Sequence, residues 1–212
     1  MGDGEAVKIG LLGRGTVGSA FVELIDQRAD AIAALTGKRP EVAGVLTTSS
    51  GDFDEILEQS DVIVELIGGL DPARDYVTRA LTAGKPVITA NKALVSSHGP
   101  ELFAASSQSG APLFFEAAVA GVIPAIRVIE ESLAGAHVER VHGIVNGTTN
   151  YILTEMARNG LSYDDALKQA QDLGYAEADP TADVGGGDAA AKMAILARLA
   201  FGLDVSFDQV TF

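Results

Sequence analysis

Asp188 and Lys192 are four residues apart, a spacing that puts both on one face of a helix. An exposed ion pair is the ordinary reading of such a spacing. Their neighbours argue against it. From Ala189 to Phe201 only Lys192 and Arg198 are not apolar, and a helix that is apolar all round is buried. Buried aspartate and lysine are rare unless paired or functional. A desolvated ammonium can stabilise charge developing on an oxygen and then give up a proton, so the pair is a candidate for acid–base work. Glu177, Asp179 and Asp183 lie in the loop leading to this helix. Such a loop is either simply solvated or a pocket for a ligand ammonium group.

A second kind of chemistry is written near the start. Gly13, Gly15 and Gly18 form a G-x-G-x-x-G set, with Arg14, Thr16 and Val17 between them. The apolar run Val7–Leu12 precedes the set and a helix-like stretch follows it, the context that a dinucleotide fingerprint requires. Gly13 then allows the tight turn, Gly15 lets backbone approach a pyrophosphate, and Gly18 lets helix and strand pack closely. The pyrophosphate would sit on the helix N-terminus. The plainer alternative is a glycine-rich turn between a strand and a helix. Lys92 follows the apolar run Pro86–Ile88, beyond the carboxyl end of a strand, where open α/β sheets bind ligands. On position alone it is equally an ordinary surface lysine.

The elements that would hold these residues alternate. Strands are expected at Val7–Leu12, Glu41–Thr47, Val62–Ile67, Pro86–Ala90 and Leu113–Ala117. Helices are expected at Ala20–Leu35, Phe53–Glu58 and Ala73–Ala83. Asp71 is the expected N-cap of the last of these, with Pro72 at its first position and Gly84 closing it. This alternation predicts a doubly wound parallel sheet of Rossmann type. From about Val119 the texture changes. Helices are expected at Ile123–Leu133, Asn150–Arg158, Ser162–Leu173 (with a capping-box-like start) and Asp188–Phe201, and a strand at Val138–Val145. The predicted organisation is α/β, with a dinucleotide-binding domain over 1–118 and a partial α+β substrate and dimerisation domain over 119–212. No internal repeat or low-complexity linker separates them.

Bulk properties narrow the function classes. A chain of 212 residues that is 47% hydrophobic can bury a real core. Its net charge of −14 argues against nucleic acid or an anionic membrane surface as the main partner. With no cysteine, disulfides, thiolate metal sites and covalent cysteine chemistry are excluded. The first residues, Met1–Ala6, are acidic and lack a basic and then apolar leader pattern, and no apolar run reaches bilayer length, so a cytoplasmic location is the expectation. Asn146-Gly147-Thr148 matches a glycosylation sequon, which means little without an export signal.

Taken in order, these stretches resemble the homoserine dehydrogenase family. The carrying residues are the Gly13–Gly18 loop, Glu65-Leu66-Ile67-Gly68-Gly69, Thr89-Ala90-Asn91-Lys92, Phe115 to Gly121, Asn146-Gly147-Thr148-Thr149-Asn150, Gly174 to Pro180 and Asp188 to Lys192. The resemblance covers nearly the whole chain. It implies NAD- or NADP-dependent interconversion of L-homoserine and L-aspartate 4-semialdehyde, a step toward threonine, methionine and isoleucine. It further implies that Lys192 gives the proton to the nascent alkoxide and that Lys92 contacts the reacting oxygen and the nicotinamide. Glu177, Asp183 and Asp188 would bind substrate, Glu177 taking its ammonium group, and Gly174 would lie beside the cofactor. A sodium-type cation would rest on the backbone carbonyls of Glu116, Val119, Gly121 and Ile123. The implied partners are a small-molecule substrate and, if the sheet is completed, a second copy in a homodimer; charge and hydropathy already set aside nucleic acid and membrane.

Two departures from the family pattern stand out. The end of the second strand, Val45-Leu46-Thr47-Thr48-Ser49-Ser50-Gly51, offers neither the acid of NAD sites nor the arginine of NADP sites, and nothing there repels a 2′-phosphate. The family's catalytic region also continues beyond the point equivalent to Phe212, adding strands whose absence would leave a sheet edge exposed. Two other readings therefore stay open: a non-catalytic dinucleotide-binding module, and another amino-acid oxidoreductase on the same scaffold.

Overall fold

The computed structural model describes residues 5–212; residues 1–4, on which most of the no-leader reading fell, lie outside the described residues. The chain divides into two compact units, Met1–Val122 and Ile123–Phe212. The sequence reading drew its line after residue 118.

The first unit is a five-stranded parallel sheet in the order β2-β1-β3-β4-β5. Its strands are β1 (Glu5–Leu12), β2 (Lys38–Leu46), β3 (Val62–Glu65), β4 (Val87–Thr89) and β5 (Leu113–Phe114). The crossovers are helices α1 (Thr16–Thr36), α2 (Phe53–Gln59), α3 (Ala73–Thr82) and α4 (Lys92–Ser109). The apolar runs make the sheet's centre: Leu11, Leu12, Ile63 and Val87 are fully buried, as strands covered on both faces must be. Leu12, Ile63, Val77, Leu81 and Leu102 share one cluster between sheet and helices. Ile9, Leu11 and Val64 form another, with Phe21, Val22 and Ile25 of α1 packed on it.

Three local differences from the sequence reading have physical causes. Helix α4 was not foreseen, because His98-Gly99-Pro100 interrupts it with Pro100 inside the helix; burial of Leu94, Val95 and Leu102 outweighs that cost. Asp71 is not the cap of α3. Pro72 holds the cap position without a side-chain bond, and the preceding turn supplies Leu70 O to the Arg74 N–H at 2.8 Å. The strand expected at Leu113–Ala117 ends at Phe114, where its pairing to β4 ends at Ile88; a 3-10 turn, Glu116–Ala118, follows.

The second unit is helical among the described residues. A single α turn, α5 (Ala125–Arg127), runs into a π turn at Val128–Ser132, so the regular helix expected at Ile123–Leu133 is wider and shorter. Then come α6 (Gly147–Asn159), α7 (Tyr163–Asp172), the one-turn α8 (Thr181–Val184) and α9 (Gly187–Phe201). The strand expected at Val138–Val145 is not formed. A strand needs a neighbour to bond, and all five strands found lie in the other unit; Ile144 is accordingly 77% exposed. The partial α+β second domain is thus corrected to an α-helical unit over the residues described. Helices α6 and α7 pack around Ile152, Ala166 and Ala170. Ser162 caps α7, its Oγ accepting the Asp165 N–H at 3.1 Å and donating to Asp165 Oδ2 at 2.6 Å. Aspartate, one methylene shorter than the glutamate of a full capping box, here meets the Ser162 hydroxyl.

Candidate active site

The first unit carries a cleft of about 550 Å³ at the C-terminal ends of β1, β2 and β3. It lies at the topological switch point, where the chain passes from one side of β1 to the other. Gly13, Arg14 and Gly15 line it beside Thr47, Thr48 and Tyr76. Gly13 has φ +97°, and a Cβ there would stand 2.6 Å from Leu66 O. A Cβ on Gly18 would stand 2.1 Å from Gly13 O, so helix α1 can start this close only with glycine. Around Gly15 there is open space; it caps α1 without any side-chain bond to the helix N–H groups. Thr16 and Val17, in the first turn of α1, are exposed.

Glu65, which the sequence analysis names only within a stretch that carries the resemblance, has a structural part of its own. It is fully buried, and its carboxylate is the post on which two loops hang. Oε1 accepts the N–H groups of Ile67 and Gly68 at 2.8 and 3.2 Å, and Oε2 accepts the Thr89 hydroxyl at 2.5 Å. Thr89 Oγ1 in turn accepts the Asn91 N–H at 2.9 Å. Asn91 donates to Gly69 O at 2.6 Å and caps α4 by accepting the Leu94 N–H at 3.0 Å. Lys92 is therefore fixed as the first residue of α4, at the carboxyl end of β4 and half-buried. It does not line the glycine-loop cleft.

In the second unit the acidic and basic candidates meet. Lys192 Nζ donates to Asp188 Oδ2 and to Val145 O, each at 2.6 Å. The pair is largely buried, with side-chain exposures of 17% and 5%. Asn146, which the sequence reading held only as part of a motif, ties the cluster together. Its Nδ2 donates to Asp183 Oδ1 at 2.8 Å and to Asp188 Oδ2 at 2.9 Å, and its Oδ1 caps α6 by accepting the Thr149 N–H at 2.8 Å. Thr148 donates to Asp183 Oδ2 at 3.0 Å. These residues line a cleft of about 420 Å³ whose wall also includes Tyr151 and Tyr175, rings 5.0 Å apart. Burial, then Glu155 and then Tyr175, push the Tyr151 hydroxyl above its ordinary value. The signal that could have found Asn146 and Thr148 was their place at a helix start, where Asn is the preferred cap.

Other candidates lie apart. Glu177 is exposed and does not line this cleft; its backbone O accepts Gln171 Nε2 at 3.1 Å. Asp179 accepts the Thr181 hydroxyl and backbone N–H, and these bonds, the hydroxyl first, hold its carboxyl below the usual value. Gly174, exposed with φ +76°, ends the turn after α7. Among the carbonyls expected to hold a cation, Glu116, Val119 and Gly121 close the first unit and Ile123 opens the second. Glu116 O accepts the Val119 N–H at 3.4 Å and Ile123 O the Ala125 N–H at 2.7 Å. No group of three or more His, Asp or Glu side chains able to hold a metal occurs among the described residues, and none of their helices is long and apolar enough to cross a membrane.

Comparison with known proteins gives one family. The profile "Homoserine dehydrogenase, NAD binding domain" matches residues 13–116, and the profile "Homoserine dehydrogenase" matches 124–212. A homoserine dehydrogenase of Corynebacterium glutamicum is 47% identical over 99% of this chain and 50% of its own length. A putative homoserine dehydrogenase of Archaeoglobus fulgidus superposes with TM-score 0.88 at 33% identity, over 97% of this chain and 71% of that one. A hyperthermophilic archaeal homoserine dehydrogenase in complex with NADPH superposes with TM-score 0.83 at 28% identity, over 93% and 70%. The chain spans about half the length of the curated relatives it matches.

Proposed function

This chain belongs to the homoserine dehydrogenase family, and from that premise we propose that it interconverts L-homoserine and L-aspartate 4-semialdehyde, with NAD or NADP as hydride carrier. One observation carries the reading. The Lys192 ammonium and the Asp188 and Asp183 carboxylates stand on one cleft wall, held there by Asn146 and Thr148. A substrate with an ammonium group at one end and an alcohol or aldehyde at the other needs both kinds of partner.

The first cleft fits a dinucleotide: backbone is uncovered at Gly15 and no side chain caps α1. Gly13, Arg14, Gly15, Thr16, Val17 and Gly18 would hold its phosphates. When bound, the nicotinamide supplies the hydride to the aldehyde carbon or accepts it from the alcohol. Reduction leaves negative charge on the oxygen. Lys192 stabilises that charge and donates a proton to it; in the reverse direction its amine takes the alcohol proton. An ammonium has three N–H groups, and two are committed, to Asp188 and Val145. The third serves the substrate oxygen.

Asp188 and Asp183 would hold the substrate ammonium, the carboxylates being its natural acceptors. Glu177, on the exposed loop before α8, is the further ammonium partner that the resemblance implies, and Lys92 and Gly174 are the implied neighbours of the nicotinamide. A sodium-type cation on the carbonyls of Glu116, Val119, Gly121 and Ile123, and a homodimer, belong to the same proposal and rest on the resemblance.

The test is Lys192→Ala. Turnover is expected to fall about 10²- to 10⁴-fold, the usual worth of a positioned acid, while nucleotide binding, which belongs to the other unit, stays within about twofold of the parent. Turnover at the parent rate would remove Lys192 from the chemistry.

A further inference from the structure

Asn146 is buried, and both polar atoms of its side chain are engaged. Oδ1 accepts the Thr149 N–H at 2.8 Å and the Thr149 hydroxyl at 2.7 Å. Nδ2 donates to Asp183 Oδ1 at 2.8 Å and to Asp188 Oδ2 at 2.9 Å. A backbone N–H only donates and an ionised carboxylate only accepts, so the amide can face one way. Turned over, its oxygen would meet two carboxylates and its nitrogen a backbone N–H. A carboxamide nitrogen has two N–H groups, and both are committed. None is left for a ligand, so Asn146 serves the cleft through the residues it holds.

What it holds is the partner of the lysine. Asp188 Oδ2, the oxygen that Asn146 meets, also accepts Lys192 Nζ at 2.6 Å. The other bond of Lys192 goes to the carbonyl of Val145, the residue before Asn146, again at 2.6 Å. Residues 145 and 146 therefore grip the ammonium from two directions, one directly and one through Asp188. Asn146 itself is extended, with φ −130° and ψ 122°, and its cap bond pins it to the start of α6. Asp183 is tied to the same place, since its Oδ2 accepts the Thr148 hydroxyl at 3.0 Å. Neighbouring carboxylates repel, and a donor shared between them is what lets them stand together.

We infer that Asn146 is a positioning residue for the reaction: its amide spaces the two aspartates and, through Asp188, aims the Lys192 ammonium at the reacting oxygen. The inference rests on the acid–base role proposed for Lys192 and names the group that keeps that role in register. Capping α6 is a separate and simpler task, which aspartate and serine perform as well as asparagine. The two tasks part on donor count. Asparagine offers the carboxylates two N–H groups, serine one O–H, and an ionised aspartate nothing.

Steady-state kinetics of Asn146→Asp and Asn146→Ser in the whole chain, each with its melting curve, separate the two tasks. Asn146→Asp keeps the shape and the cap but sets a third carboxylate where the shared donor was. Its kcat is expected to fall about 10²-fold, the worth of a displaced reacting group. Its KM for homoserine should rise, and its KM for the nucleotide should stay within about twofold of the parent. Asn146→Ser keeps the cap and one donor, and its kcat is expected to fall only about tenfold. Parent kcat in folded Asn146→Asp, or equal losses in the two variants, would reduce Asn146 to a cap while leaving the role of Lys192 in place. Should Asn146→Asp not fold, parent kcat in Asn146→Ser would overturn the positioning role on its own. A parent chain without homoserine-dependent turnover would overturn both the positioning role and the reading it rests on.

Discussion

The two clefts are built from opposite materials. The glycine-loop cleft is made by leaving side chains out: Gly13 and Gly18 sit where a Cβ would collide with backbone, and Gly15 opens on free space. The second cleft is made by putting charge in: two carboxylates, an ammonium and the two polar side chains that orient them stand in a largely buried setting. A buried charge needs partners or it destabilises the fold, so the second site must be assembled from distant segments. Asn146 reaches Asp183 and Asp188, 37 and 42 residues away, and Lys192 reaches back 47 residues to Val145. The glycine loop needs only its own turn and the ends of adjacent strands. Nucleotide binding should therefore depend on local space, and the charged site on long-range order.

The strongest way to break the contrast is Asn146→Ala. It removes a helix cap and the donor standing between two carboxylates, and is expected to cost about 2–4 kcal/mol of stability. A thermal melt that reports the second unit checks this. An unchanged melt would mean the cluster is not held together as described. Gly18→Ala comes next. Its Cβ, 2.1 Å from Gly13 O, must displace backbone, at about 1–3 kcal/mol and with loss of nucleotide binding. Gly15→Ala sharpens the point, because nothing lies within 4 Å of its Cβ. The melting temperature should not move, while the dinucleotide Kd rises about tenfold or more as the methyl group takes the ligand's place. A stability loss in Gly15→Ala equal to that of Gly18→Ala would erase the distinction between packing glycine and binding glycine.

The same contrast decides what could be read from the chain. In the first unit, apolar runs such as Val7–Leu12 are long and local, so sheet and crossovers follow from pattern. The exception, α4, fails for a local reason too: Gly99 and Pro100 hide it. In the second unit, Val138–Val145 has a strand's composition, but composition cannot supply a pairing partner. Asp188 and Lys192 were legible because helical spacing joins them. Asn146 and Thr148 were not, because only the fold brings α6 to α8 and α9. Glu65 shows that a charge inside an apolar run can be structural, here holding the turns after β3 and β4.

The smallest predicted effect lies in the loop between α7 and α8 of the second unit. Asp179 is exposed, and the Thr181 hydroxyl holds its carboxyl below the ordinary 3.8. Because the folded value is the lower one, whatever the bond adds to stability is fully present above the unfolded value and is lost as pH falls through the folded one. Thr181→Val should move the Asp179 titration, followed by NMR of its carboxyl carbon, back up toward the ordinary value; no movement would mean the bond does not persist in solution.

The central claim is that one unit offers a dinucleotide cleft and the other a lysine–carboxylate site for an amino alcohol. Homoserine-dependent reduction of NADP⁺ and NAD⁺, followed at the nicotinamide absorbance with this 212-residue chain, tests it most directly. The account predicts turnover that requires homoserine with at least one of the two cofactors. Binding of the cofactor with no homoserine-dependent reduction would contradict it, leaving the chain a dinucleotide-binding module.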